Sequence, residues 1–240
     1  MLFDVVTTPA PAAPTTARQD IKLALVALTI ASSSLDVTAF LRLGGLFASV
    51  MTSNLISVSL ALVKAERALA VHCAVALLCY IAGVATGTSF GRPSGRESRL
   101  GTTRLSLLLT AEAALLTAYA AWWITDGAHP TGWQQLTLLG AVTSAMGMQS
   151  AAARQLGAPE AGTTYLTGSL TGMVATITTG RRPDAGALLA IAGILAGAAA
   201  ATALLETAPD LTPLLAVAGV AFTAAMSWHE PPPTSTSTST

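Results

Sequence analysis

Apolar residues along this chain do not alternate with polar ones; they run together in eight stretches, and the breaks between them hold most of the charge. Approximate limits are 21–41, 50–62, 68–87, 105–124, 136–153, 164–177, 186–205 and 211–228. Most approach the roughly 20 residues with which a helix crosses a bilayer. The second and sixth are shorter and more polar. At about 1.5 Å per residue they barely cover a hydrocarbon core roughly 30 Å thick. Backbone polar groups cannot stay unpaired in lipid, so both pieces are expected as helices or as the lining of a protein-walled cavity.

The stretches repeat. Leu35-Asp36 to Leu43-Gly44 aligns without a gap on Met148-Gln149 to Leu156-Gly157. Met51-Thr52-Ser53-Asn54-Leu55 then matches Leu166-Thr167-Gly168-Ser169-Leu170, and Ile81-Ala82-Gly83 to Gly87 matches Ile191-Ala192-Gly193 to Gly197. Three matches in one order, at offsets of about 110 to 115 residues, point to duplication. The fold class expected is an all-α integral membrane bundle of two related, inverted halves, with about six full spans and two short intramembrane helices; seven or eight spans are the alternatives. Residues 21–125 form the first half and 136–228 the second, joined by an outer loop at 126–135. Residues 1–20 are Pro-, Ala- and Thr-rich and residues 229–240 hold a Pro run with Ser-Thr repeats; both are expected as disordered tails, with no cleaved signal peptide.

Composition agrees with a membrane. Hydrophobic residues make up 52% of the chain and charged ones only 10%, against about 25% charged in soluble domains. Net charge is zero, so no basic face suggests nucleic acid. Arg92, Arg96, Arg99 and Arg104 crowd one loop, Arg181 and Arg182 another, and Arg18 and Lys22 precede the first stretch. Basic loops stay cytoplasmic. If the second and sixth stretches enter and leave on one face, all these groups fall inside, and only Lys64 and Arg67 lie outside. Both termini are then cytoplasmic, while Asp126, His129 and the tryptophans Trp122, Trp123 and Trp133 lie at the outer interface.

Candidate chemistry is sparse. Asp36 lies about 21 Å along the helix beyond Lys22, and Thr29 and Ser33 share its face. A carboxylate in the bilayer costs roughly 2.5 kcal/mol or more, so it must be paired, hydrated or protonated. Glu112 is a second embedded carboxylate, about 12 Å beyond Arg104, on a face of leucines. Gln149 occupies the repeat position of Asp36. Thr52, Ser53 and Asn54, with Thr167 and Ser169, head the two short helices, where broken helices of inverted-repeat transporters bind solutes; helix capping is the plainer role for such residues. Gly83, Gly87, Gly91, Gly193 and Gly197 are expected to let helices approach closely. Cys73 and Cys79 read as small buried hydrophobes, and His72 has no metal-binding company. No phosphate loop, nucleophile elbow or metalloprotease motif is present, so no enzyme activity and no cofactor are expected.

These residues resemble a known group. Asp36 with Phe40-x-x-Leu43-Gly44 and Met51-Thr52-Ser53-Asn54 is similar to the first-half signature of the YoaK family of multipass bacterial membrane proteins. Gly147-Met148-Gln149-Ser150-Ala151-Ala152, Thr163-Thr164-Tyr165-Leu166-Thr167-Gly168 and Leu170-Thr171-Gly172 resemble its second half more closely. The likeness covers roughly 21–228. Family members more often show Gly-Asn at Ser53-Asn54 and Asn at Ser150. The resemblance implies an inner-membrane protein of six-span type and unestablished function, and supplies no catalytic residue or ligand. The expectation is a transporter or channel for a small polar solute or ion, with the lipid bilayer as its surroundings and a homo-oligomer as its assembly. A non-transporting membrane scaffold or regulator is the alternative, and a membrane enzyme stands third.

Overall fold

A computed structural model describes residues 15–91, 99–155, 166–180 and 185–229. Eight α-helices account for the eight apolar stretches: α1 (Thr15–Arg42), α2 (Met51–Lys64), α3 (Arg67–Gly91), α4 (Arg99–Thr125), α5 (Gly132–Gln155), α6 (Leu166–Thr178), α7 (Ala185–Thr207) and α8 (Thr212–His229), the last led in by a 3-10 turn at Pro209–Leu211. No strand occurs among the described residues. Residues 15–20, expected in the tail, form the first turns of α1, and 132–135, expected in the outer loop, begin α5.

Five helices are long and apolar enough to cross a membrane, within Lys22–Arg42, Arg67–Ser89, Arg104–Thr125, Ala185–Thr207 and Pro209–Trp228. Helix α5 is equally long but less apolar, and α1, α3 and α4 all pack on it, so little of its surface needs to be greasy. On α1, α3 and α7 the side that meets no helix carries exposed apolar side chains such as Leu23, Leu78 and Leu195, as a lipid-facing surface requires.

Helices α1, α8, α4 and α5 close into a ring, each packed on the next and α5 back on α1. Helix α3 lies outside the ring on α5, and α7 lies outside it on α1. The short α2 rests on α3 and the short α6 on α7. Every one of these pairs recurs when each helix is replaced by the one four places along the chain.

Named contacts fix the directions. A Cβ on Gly83 would run into the Ser144 carbonyl, and one on Gly87 into Ala151, so α3 and α5 run parallel. Gly193 faces Thr29 while Gly197 faces Ile30 and Ser33, which makes α7 parallel to α1. Gly219 lies against Ala27, whereas Thr223 donates a 3.4 Å hydrogen bond to the Ala24 carbonyl, so α8 runs against α1. Trp123 Nε1 donates to the Pro209 carbonyl at 2.9 Å and Trp228 Nε1 to Thr110 Oγ1 at 3.2 Å, so α8 also runs against α4. Helices α1, α4 and α7 therefore point one way, and α3, α5 and α8 the other. The chain leaves α1 and enters α3 at one end of the bundle; it leaves α5 and enters α7 at the opposite end.

Candidate functional site

Helix α1 carries an unusual density of hydroxyls for a buried helix. Thr29, Ser32, Ser33, Ser34 and Thr38 each return their hydroxyl to a carbonyl three or four residues back. That removes five donors from competition with other helices and leaves a small, self-satisfied surface for α7. The stripe shared by Thr29 and Ser33 faces Gly193 and Gly197.

Asp36 closes this face and reaches beyond the end of α1. Its Oδ1 accepts the Ser49 N–H at 2.7 Å and its Oδ2 the Ser49 hydroxyl at 2.6 Å, both buried. Ser49 stands in the connection between α1 and α2, residues 43–50, which opens with Gly44 and Gly45 at φ +102° and +76°. Only glycine adopts such angles without strain, and a Cβ on Gly44 would also run into the His72 ring. Leu43, Leu46 and Ala48 of this segment are completely buried. Past the exposed Gly44 and Gly45 the backbone of 46–49 thus runs largely inside the protein without a helix to satisfy it, and side chains take over.

Asn54 takes the other side of the same segment. Fully buried, it accepts the Phe47 N–H on Oδ1 at 3.1 Å and donates from Nδ2 to the Phe47 carbonyl at 2.7 Å. Phe47 in turn stacks on Phe40 with ring centres 5.1 Å apart. Asn54 therefore acts as one rung of a ladder and not as a cap for α2. Thr52 is exposed and Ser53 half-buried, so neither shares this enclosed position.

A second polar chain crosses the end of the bundle where α1 stops. His72 of α3 lies 3.1 Å from Gln135 Oε1, and Gln135 Nε2 donates to the Arg42 carbonyl at 2.8 Å. Three helix ends meet there, with the Arg42 guanidinium on the Leu205 carbonyl adding a fourth.

The ring interior holds different chemistry. Glu112 on α4 is wholly buried, and neither carboxyl oxygen has a hydrogen-bond partner among the described residues. Gln149 on α5 donates from Nε2 to the Leu28 carbonyl at 3.0 Å, and its buried Oε1 is likewise unpartnered. The Tyr119 hydroxyl, two turns along α4 from Glu112 on the same face, is a third.

Of the sequence candidates, the structure brings Asp36 and Asn54 together around residues 43–50 and sets Glu112 and Gln149 in the ring. Thr167 and Ser169 lie on α6, and their side chains are outside the described residues. Helix α6 packs on α7 while α2 packs on α3; broad packing between α2 and α6 is absent among the described residues. Sequence reasoning passed over Ser49, whose signal was its place just before a short helix and after a Gly-Gly pair. It also passed over Tyr119, whose signal was its spacing from Glu112.

A family described as "Protein of unknown function (DUF1275)" has a model that matches residues 24–227, which spans all eight helices. No curated protein and no solved structure matches the chain.

Proposed function

We propose, from the premise that this chain belongs to the DUF1275 family of unknown function, that it is an inverted-repeat transporter or channel for a small solute or ion. The reading has α1, α3, α4, α5, α7 and α8 crossing the cytoplasmic membrane and α2 and α6 entering and leaving on one face each. The observation that carries it is the pair of returns: α1 to α3 at one end, α5 to α7 at the other. A chain that turns back at opposite ends in its two halves has halves of opposite orientation, the architecture of many secondary transporters. The recurrence of every helix pair after a shift of four helices supports the same reading. The likeness to the YoaK family belongs to this proposal, as does a cytoplasmic position for both termini and the arginine-rich loop.

The scaffold reading has one observation in its favour. Asp36 and Asn54, the strongest polar candidates beside a short helix, have their oxygens and amide occupied within the α1–α2 connection. Reconstitution separates the two. Purified protein in vesicles, with dyes reporting internal pH, sodium and chloride and a potassium-valinomycin potential imposed, should pass ions faster than protein-free vesicles. Flux equal to the protein-free background for protons, sodium and chloride would leave the scaffold.

A further inference from the structure

We infer that Glu112 and Gln149 form an internal proton-binding site at the centre of the α1–α8–α4–α5 ring, with the carboxyl of Glu112 as the group that takes up and releases the proton. The site stands on packing alone; its use in transport rests on the reading above.

The register of α4 against α5 places the pair. Leu108 and Leu109 of α4 pack in one cluster with Met148 and Ala152 of α5 and Ala224 of α8. The two helices run antiparallel, so one turn forward along α4 from Leu108 corresponds to one turn back along α5 from Ala152. That step arrives at Glu112 on one helix and at Met148 and Gln149 on the other. Glu112 shares a helix face with Leu108, Leu109 and Leu116, all of them completely buried, so its side chain lies among the residues that fill the ring.

The atoms at this level are acceptors in search of a donor. Gln149 Nε2 is committed to the Leu28 carbonyl, which fixes the amide with Oε1 free. Glu112 offers two more unpartnered oxygens. A buried carboxylate without a partner is strongly disfavoured, and an unsatisfied amide oxygen adds its own desolvation penalty. One proton on Glu112 relieves both, because the carboxylic acid then donates to Gln149 Oε1. A metal cation fits poorly: sodium and larger ions need several oxygens, and Leu108, Leu109, Met148, Ala152 and Ala224, which pack beside the pair, supply no side-chain oxygen.

No charged group of the described packed helices stands level with Glu112: α1 brings Lys22 and Asp36 about 9 Å and 12 Å along the axis to either side of Leu28, and α4 itself has Arg104 about 12 Å away. Helix α5 carries Arg154 near its end, α8 has only His229 at its terminus, and α3 places Arg67 and His72 toward the opposite end, with the thiols of Cys73 and Cys79 between. Tyr80 of α3 donates to Ser150 at 2.9 Å, one residue from Gln149. On α4 itself, Tyr119 lies about 10 Å along the axis. An ionisable side chain costs more to bury in a membrane than any neutral hydrogen-bonding one, and its presence here is the mark of a functional group.

Infrared difference spectroscopy on the full chain in lipid nanodiscs tests the assignment through a readout that does not need transport. Raising the pH should remove a carbonyl-stretch band of a protonated carboxylic acid. Glu112→Gln should abolish that band, Glu112→Asp should keep a titrating band with a moved midpoint, and Gln149→Leu should shift its frequency. A band unaffected by Glu112→Gln, or one that never responds to pH, would overturn the proposal, as would saturable removal of the band by sodium at constant pH. In vesicles, Glu112→Gln should lose proton-coupled flux. Wild-type vesicles with no flux but with the titrating band would refute the transport reading and leave the site standing.

Discussion

Asp36 and Asn54 grip the same short piece of chain from opposite sides, yet they should tolerate different chemistry. Asp36 only accepts, from the Ser49 amide and hydroxyl. An asparagine keeps one acceptor for the amide, and its NH2 can face the hydroxyl, which turns to receive it. Asp36→Asn should therefore cost less than about 1 kcal/mol, while Asp36→Ala strands two buried donors at about 1–3 kcal/mol each. Asn54 both accepts and donates against Phe47. Asn54→Asp would set an oxygen against the Phe47 carbonyl and should destabilise at least as much as Asn54→Ala. Unfolding in mixed micelles would read all four variants. Equal damage from Asp36→Asn and Asp36→Ala would show that the charge itself is needed; flux lost in Asp36→Asn with stability kept would place Asp36 in the pathway. The importance of these two residues was legible, because a carboxylate inside an apolar run demands a partner. The identity of the partner was not. Ser49 is a commonplace residue in a loop, and only the fold of residues 43–50 aims its donors at α1. Glu112 was visible for the same reason as Asp36, but a face of leucines does not say what covers it; that is settled by α5 and α8, which pack on α4.

At the scale of elements, glycine separates contacts that matter from those that do not. Gly83 and Gly147 face each other across α3 and α5, where any Cβ meets backbone of the other helix; Gly197 does the same against α1. Backbone cannot move aside as a side chain can, so Gly83→Ala, Gly147→Ala and Gly197→Ala should each lose about 1–3 kcal/mol. Gly168 and Gly172 on α6 have nothing within contact distance. Alanine there should be neutral or raise stability by up to about 1 kcal/mol through helix propensity. Chaotrope midpoints in lipid would show the split, and a Gly172→Ala loss as large as that of Gly147→Ala would deny it. Small residues every fourth position announced close packing in the sequence, but α7 and α6 each carry two glycines four residues apart and look alike there. Which of them meets a neighbour depends on helices far along the chain. Helix existence was easier: each apolar run ends in charge, proline or glycine, and those breaks bound all eight helices to within a few residues.

For the molecule as a whole, direction was the quantity that composition could only suggest. Arginine placement favoured a chain that turns back after α1 and after α5; the contacts of Gly83, Gly193 and Gly219 give those helices their sense. Reporter fusions at Gly101 and at His129 should fall on opposite sides of the membrane, with Gly101 inside. A reporter at Lys64, where α2 ends, should share the side of His129, because Arg42, His72 and Gln135 tie those helix ends together. Lys64 on the side of Gly101 would mean that α2 crosses, and the inverted pairing of the halves would fall with it.

The parallel seating of α7 on α1 also sets a schedule for synthesis. Helix α1 emerges first, and the glycines that cover Thr29 and Ser33 follow about 160 residues later. At roughly 5–20 residues per second, that interval is on the order of 10–30 s. Throughout it, a helix with five buried hydroxyls must sit in the membrane, or at the insertion machinery, without its permanent neighbour. The first helix to be made is among the last to be finished, so a nascent chain halted before α7 is a substrate for quality control and not a smaller working protein.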